Sequence, residues 1–84
     1  MNNIDMINKA RNPEYKEMEL RQLKSLFAEN IKGIQQSGRY TDSAIAEQAQ
    51  ISIEINLRNK DISSAEDSAR DYNDAMGIEL IHWN

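Results

Sequence analysis

The sequence contains no cysteine and a single histidine, His82. Without cysteine there can be no disulfide, thiolate metal site or cysteine nucleophile. A zinc site would need one imidazole together with several carboxylates, which is an unusual ligand set. A chain with one histidine near its end also offers few acid–base groups besides carboxylates. We therefore expect no catalytic residue, no metal and no cofactor.

The chain also lacks valine and long apolar runs. No stretch approaches the roughly 18 apolar residues of a membrane span, and the sequence does not open with the basic and apolar regions of a signal peptide. We expect a cytoplasmic protein without a membrane segment, folded as a single domain over residues 1–84. A domain of this size buries only about 60% of its unfolded surface. We therefore expect its function on a surface, and we expect self-association as a homo-oligomer.

The net charge of −4 is unevenly distributed along the chain. Residues 1–40 contain seven basic and five acidic side chains, a net +2, whereas residues 41–84 contain three and nine, a net −6. Such a division bears on partners rather than on fold. The second half should attract basic protein surfaces and repel nucleic-acid phosphates.

Capping and periodicity predict two helices in the first half. A short amphipathic helix is expected over residues 3–11. Asn12 and Pro13 then begin a longer one, because asparagine caps a helix and proline is suited to its first position. An apolar stripe with spacings of three and four predicts that this helix covers residues 13–36 and ends at Gly38.

Residues 43–59 are ambiguous. Ile51, Ile53, Ile55 and Leu57 alternate with polar residues, the pattern of a half-buried strand. As a helix, the same segment has a wide apolar arc and one polar side, formed by Glu47, Gln50, Glu54 and Arg58. We favour the helix because no glycine, proline or asparagine separates residues 42 and 55.

The remaining pattern predicts a last helix and an extended end. Ser63 and Glu66 match a capping box, and Gly77 is a suitable helix stop. Residues 78–83 are expected to be extended. The predicted fold is all-α: a small three- to four-helix bundle with an extended C-terminal tail. The alternative is an α+β fold with a β-α-β unit over residues 51–83.

Residues 41–52 resemble the first part of the helix-turn-helix motif of DNA-binding proteins, with Ile45, Ala49 and Ile51 at core positions of that motif. The resemblance implies a transcription regulator. The sequence departs from the pattern where Gln50 replaces the turn glycine and where Asn56 takes a buried position. Because the segment lies in the acidic half, we do not expect direct DNA binding.

Asp67, Asp71 and Asp74 have helical spacings of four and three, which predicts an acidic line on one face of the last helix. This line is our candidate for binding a partner protein that has a basic surface. It lacks the glycine and terminal glutamate of a calcium-binding loop.

Tyr15, Arg39 and Tyr40 are candidates for binding a small ligand, because aromatic and basic side chains stack on bases and hold phosphates. The sequence therefore predicts a small acidic protein-interaction or regulatory module, with an inhibitor of a basic or nucleic-acid-binding surface as one form. The alternative is an oligomer that sequesters a small ligand or nucleotide, with these three residues brought together from adjacent subunits.

Overall fold

The computed structural model of the protein describes residues 3–77. Five helices form within them: α1 (Asn3–Ala10), α2 (Pro13–Lys16), α3 (Leu20–Ser37), α4 (Asp42–Arg58) and α5 (Ile62–Met76). No strand occurs in residues 3–77, so the predicted all-α bundle is confirmed. The extended tail expected over residues 78–83, including His82, lies outside the described residues.

Helix α4 is the centre of the fold. It packs against α2, α3 and α5, while α1 packs on α5. The connections on either side of α4 are short, and short connections join antiparallel neighbours, so we infer that α3 and α5 run in about the same direction. The main apolar core joins α1, α4 and α5 and contains Met6, Ile7, Ala10, Ile53, Ala65 and Ala69.

The structure resolves the ambiguity of residues 51–57 in favour of a helix. The Thr41 hydroxyl caps α4 by accepting a hydrogen bond from the Ala44 N–H at 3.1 Å, and the helix then continues to Arg58. Ile51 and Ile53 are both fully buried, because α4 is covered on several sides. The alternating pattern thus reflects a central helix, and the β-α-β alternative over residues 51–83 is wrong at its first strand.

The turn of the helix-turn-helix motif is also absent, since α4 passes without a break through Gln50. The Gln50 side chain donates a hydrogen bond to the Ala10 carbonyl at 2.9 Å, at the end of α1. This residue therefore ties two helices together from within a continuous helix.

The helix expected over residues 13–36 is two helices. As predicted, Asn12 caps the first, accepting a hydrogen bond from the Glu14 N–H at 2.9 Å. The chain leaves the helix after Lys16 and enters α3 at Leu20, where the Glu19 N–H donates to the Gln22 side chain at 2.9 Å. The break is stabilised by a tertiary contact, because the Arg58 side chain of α4 donates hydrogen bonds to the carbonyls of Lys16 and Met18.

The start of α5 also differs from the prediction. The cap is Asp61 rather than Ser63, and the Asp61 carboxylate accepts hydrogen bonds from the Ser64 hydroxyl at 2.7 Å and the Ser64 N–H at 3.1 Å. These bonds, that of the hydroxyl first, lower the pKa of Asp61. At the other end, Gly77 stops the helix as predicted, with a left-handed φ of 65°.

Gly33 and Gly38 provide opposite predictions for substitution by alanine. Gly33 lies inside α3, and an added Cβ would meet no atom within 4 Å. We expect Gly33→Ala to raise the free energy of unfolding by about 0.5–1 kcal/mol, because alanine loses less backbone entropy on folding. Gly38→Ala should lower it by about 1–2 kcal/mol, since the φ of Gly38 is 69° and left-handed backbone is unfavourable for a residue with a Cβ. Urea denaturation measures both; changes of the same sign would contradict the assigned conformations.

Candidate functional site

The three aspartates of the predicted line lie on one exposed side of α5, as their spacing requires. We call the surface formed by Asp67, Asp71 and Asp74 the acidic face. Asp67 accepts from the Arg70 guanidinium at 3.2 Å, but both side chains are at least half exposed. A solvent-exposed pair of this kind contributes little to stability, and α5 retains a net charge of −3 from four acidic and one basic side chain.

The ionised form of Asp71 is unfavourable for folding. Partial burial and the nearby charges of Asp74 and Asp67, in decreasing order of effect, raise the pKa of Asp71. A raised pKa means that the ionised carboxylate is less favourable in the folded chain than in the unfolded one. The charge of Asp71 is therefore not explained by a gain in stability.

We expect Asp71→Asn to raise the free energy of unfolding by a few tenths of a kcal/mol at pH 7. The repulsion is present above the folded-state pKa and disappears as the pH falls below the unfolded value of about 3.9. The gain should therefore vanish at pH 3 in urea titrations. Asp42→Asn is the matched control: Asp42 lies in the first turn of α4, where a negative charge is favourable, so this change should be destabilising at pH 7. A loss of stability on Asp71→Asn at pH 7 would contradict the account.

Beside the acidic face lies a groove between the parallel helices α3 and α5, here called the α3–α5 groove. It has a volume of about 210 Å³. Phe27 of α3 forms one wall, Ser68 and Asp71 of α5 form the other, and α4 supplies the floor with Ile45 and Ala49. The acidic face thus borders a partly apolar depression, and Asp71 belongs to both.

The candidate ligand residues are not gathered in one place within the chain. Tyr15 is half-buried on α2, whereas Arg39 and Tyr40 lie exposed in the connection between α3 and α4, Tyr40 with 71% of its surface accessible. Burial, then the charges of Glu47 and Glu14, raise the pKa of Tyr15. The expectation that adjacent subunits bring these residues together stays a prediction.

Arg39 does line a second depression, the cleft between α3 and α4, whose volume is about 320 Å³. Glu29 and Glu47 also line it. Within residues 3–77 these three charged side chains form no ion pair at 4 Å or less. The cleft therefore carries both signs of charge beside apolar residues such as Leu26 and Ile34. Neither Tyr15 nor Tyr40 contributes to its wall.

An unpredicted ion cluster joins the N-terminal segment to α4. Glu54 was expected on the polar outer side of α4, but it is fully buried. The Arg11 guanidinium donates two hydrogen bonds to the Glu54 carboxylate, both at 2.7 Å, and Arg58 donates a third at 3.1 Å. The hydrogen bond to Glu54 is the main reason that the pKa of Arg11 is raised. Two-point binding of a carboxylate by arginine is geometrically specific.

Arg58 extends this cluster to the end of α2. Its Nη2 donates to the carbonyls of Met18 at 2.7 Å and Lys16 at 3.0 Å. These carbonyls lack partners in the helix because α2 ends there. The hydrogen bonds of this cluster therefore hold residues 11–18 against α4. Its signal in the sequence was the row Gln50, Glu54, Arg58, which is equally typical of a solvated helix side.

Among residues 3–77 there is no group of three His, Cys, Asp or Glu side chains arranged to hold a metal ion. None of the helices in this range is long and apolar enough to cross a membrane. Comparison of the chain with protein-family models, with curated proteins and with solved structures finds no match. The fold and surface thus define a small all-α domain with one acidic side.

Proposed function

We propose that this protein is a small acidic protein-interaction module whose acidic face binds a basic surface of a partner protein. The observation that supports this is the arrangement of Asp67, Asp71 and Asp74, which are exposed, closely spaced and unfavourable for stability at Asp71. A charge that is unfavourable for folding, as at Asp71, is expected where it serves another role.

The surroundings of the acidic face support a binding role beyond solubility. Surface charges of one sign steer an oppositely charged partner and fix its orientation, whereas apolar contacts supply much of the affinity. The acidic face offers the charge, and the adjoining α3–α5 groove offers apolar contact through Phe27, Ile45 and Ala49. Both elements of an interface are therefore adjacent.

We further propose a regulatory mode in which the acidic face covers a nucleic-acid-binding surface of its partner. Residues four and three apart on a helix are separated by rises of about 6 and 4.5 Å. The face thus presents a regular row of negative charge to lysine and arginine side chains that otherwise contact phosphates. In this mode the module acts as an inhibitor.

A ligand-sequestering oligomer is the alternative proposal, and the cleft lined by Arg39 supports it. Nucleotide binding that survives combined Arg39→Ala and Tyr40→Ala substitution would exclude that loop as the ligand site. Cytoplasmic location is part of both proposals and rests on the sequence alone.

Reversing two charges of the acidic face tests the main proposal. We expect Asp67→Lys with Asp71→Lys to weaken partner binding at least tenfold, about 1.4 kcal/mol, because attraction becomes repulsion. The affinity is measured by calorimetric titration with the partner recovered by affinity capture from nuclease-treated lysate. Circular dichroism should show that folding is intact.

The matched control is Glu17→Lys with Glu29→Lys, which changes the net charge equally at exposed positions outside α5. The control should keep its affinity. Unchanged affinity of the α5 variant, or equal weakening by the control, would refute the acidic face as the binding surface.

A further inference from the structure

Helix α3 carries a charge opposite to that of α5. It contains three basic and one acidic side chain, a net charge of +2. Arg21, Lys24 and Lys32 are all exposed, and we call them the basic face. The molecule therefore presents a basic helix and an acidic helix side by side, on the two walls of one groove.

The apolar residues of α3 are incompletely covered. Of its apolar stripe only Leu23 and Ile34 are buried, whereas Leu20, Phe27 and Ile31 are half-buried. The last three share the side of the helix on which Phe27 forms the wall of the α3–α5 groove, as their spacings of seven and four require. Lys24 borders this edge, one turn from both Leu20 and Phe27.

We propose that the α3–α5 groove is the interface of a two-fold homodimer, in which α3 of each copy lies on the acidic face of the other. A two-fold axis parallel to these helices brings the two grooves face to face. It places α3 of one copy opposite α5 of the other. Each basic helix then lies over an acidic one, and symmetry repeats the contact. An axis perpendicular to the helices would instead oppose like charges.

The charges match in position along the helices as well as in sign. Phe27 and Asp71 line the same groove, and we infer that they lie at about the same level along α3 and α5. Lys24 precedes Phe27 by three residues and Asp67 precedes Asp71 by four. The axis preserves these levels, so Lys24 of one copy lies near Asp67 of the other, and the half-buried Phe27 side chains lie about one turn further along the groove.

This dimer does not depend on the proposed partner. Association is a common way for a domain this small to gain stability, because it covers apolar surface that the chain alone leaves accessible. A second copy on the acidic face would exclude the basic partner. Dimerisation and partner binding therefore compete for the acidic face.

A mixing experiment with two charge variants tests the dimer. The first variant, Asp67→Lys with Asp71→Lys, has two basic helices; the second, Lys24→Glu with Lys32→Glu, has two acidic ones. In sedimentation equilibrium we expect a dimer of the wild-type chain, a monomer of each variant alone, and a heterodimer when the variants are mixed. Circular dichroism confirms that each variant is folded.

Three results would overturn the proposal: a wild-type chain that stays monomeric, variants that dimerise alone as well as the wild type does, or folded variants that stay monomeric when mixed. Phe27→Glu provides an independent variant, expected to abolish the wild-type dimer through the apolar edge. The second charge variant keeps the acidic face intact, so it should lose the dimer and retain partner binding. Failure of the dimer and failure of the proposed function are therefore separable.

Discussion

Replacement of Arg11 by methionine is expected to lower the free energy of unfolding by about 3 kcal/mol or more, because it breaks a buried ion pair from one side. Arg11 supplies both 2.7 Å hydrogen bonds to the Glu54 carboxylate, and Glu54 has no surface accessible to water. With Arg11 removed, Arg58 is the one remaining side chain among residues 3–77 that donates a hydrogen bond to the buried carboxylate, at 3.1 Å. A loss of this size is a large share of the stability of a domain of about 80 residues.

Two comparisons make this prediction specific. Arg21→Met removes an exposed pair with Glu19 and should change stability by less than about 1 kcal/mol. Arg11→Met combined with Glu54→Leu should recover much of the loss, because no buried charge then remains without its partner. A change below about 1 kcal/mol for Arg11→Met alone would contradict a structural role for the cluster.

Ile53→Ala is expected to lower the free energy of unfolding by about 2–5 kcal/mol. Ile53 is fully buried in the cluster where α4 meets Met6 of α1 and Ala65 of α5. Truncation removes apolar contacts and leaves a cavity at the junction of three helices. Since α4 is central, relaxation of one helix is expected to fill that space only in part.

Ile4→Ala is the matched control for Ile53→Ala, because Ile4 is 56% exposed near the start of the chain. It should change stability by less than about 1 kcal/mol. Equal effects of the two substitutions in guanidinium denaturation would contradict the central position of α4.

Local signals predicted most helix ends correctly. The ends of helices carry Asn12 with Pro13, Gly38 and Gly77, as their chemistry predicts. The choice of a helix for residues 43–59 is also confirmed, since no turn residue interrupts it. These features depend on neighbours in the sequence, which is why the sequence alone could predict them.

The features that were missed depend on distant residues. The break after Lys16 is stabilised by Arg58, more than forty positions away, and the burial of Glu54 requires Arg11 from another segment. At α5, Asp61 rather than Ser63 caps the helix, because its carboxylate accepts two hydrogen bonds from Ser64. No spacing rule identifies such partners in advance.

The candidate site was predictable to the same degree. The acidic face follows from helical spacing, so its three aspartates could be named from the sequence. The α3–α5 groove could not be predicted from the sequence, because Phe27 and Asp71 line one groove only when α3 and α5 both pack against α4. The same packing places the basic face of α3 near the acidic face of α5, which the sequence alone does not indicate.

The most direct test of the central claim, that the acidic face binds a basic partner, is a side-by-side affinity capture with quantitative mass spectrometry. The bait is either the wild type or the variant with Asp67, Asp71 and Asp74 each changed to asparagine. A control bait carries Glu17→Gln, Glu29→Gln and Asp42→Asn, with the same net charge as the first variant. We predict one basic protein recovered in stoichiometric amount with the wild type and the control and lost with the α5 variant. Equal recovery of that protein by all three baits would contradict the claim.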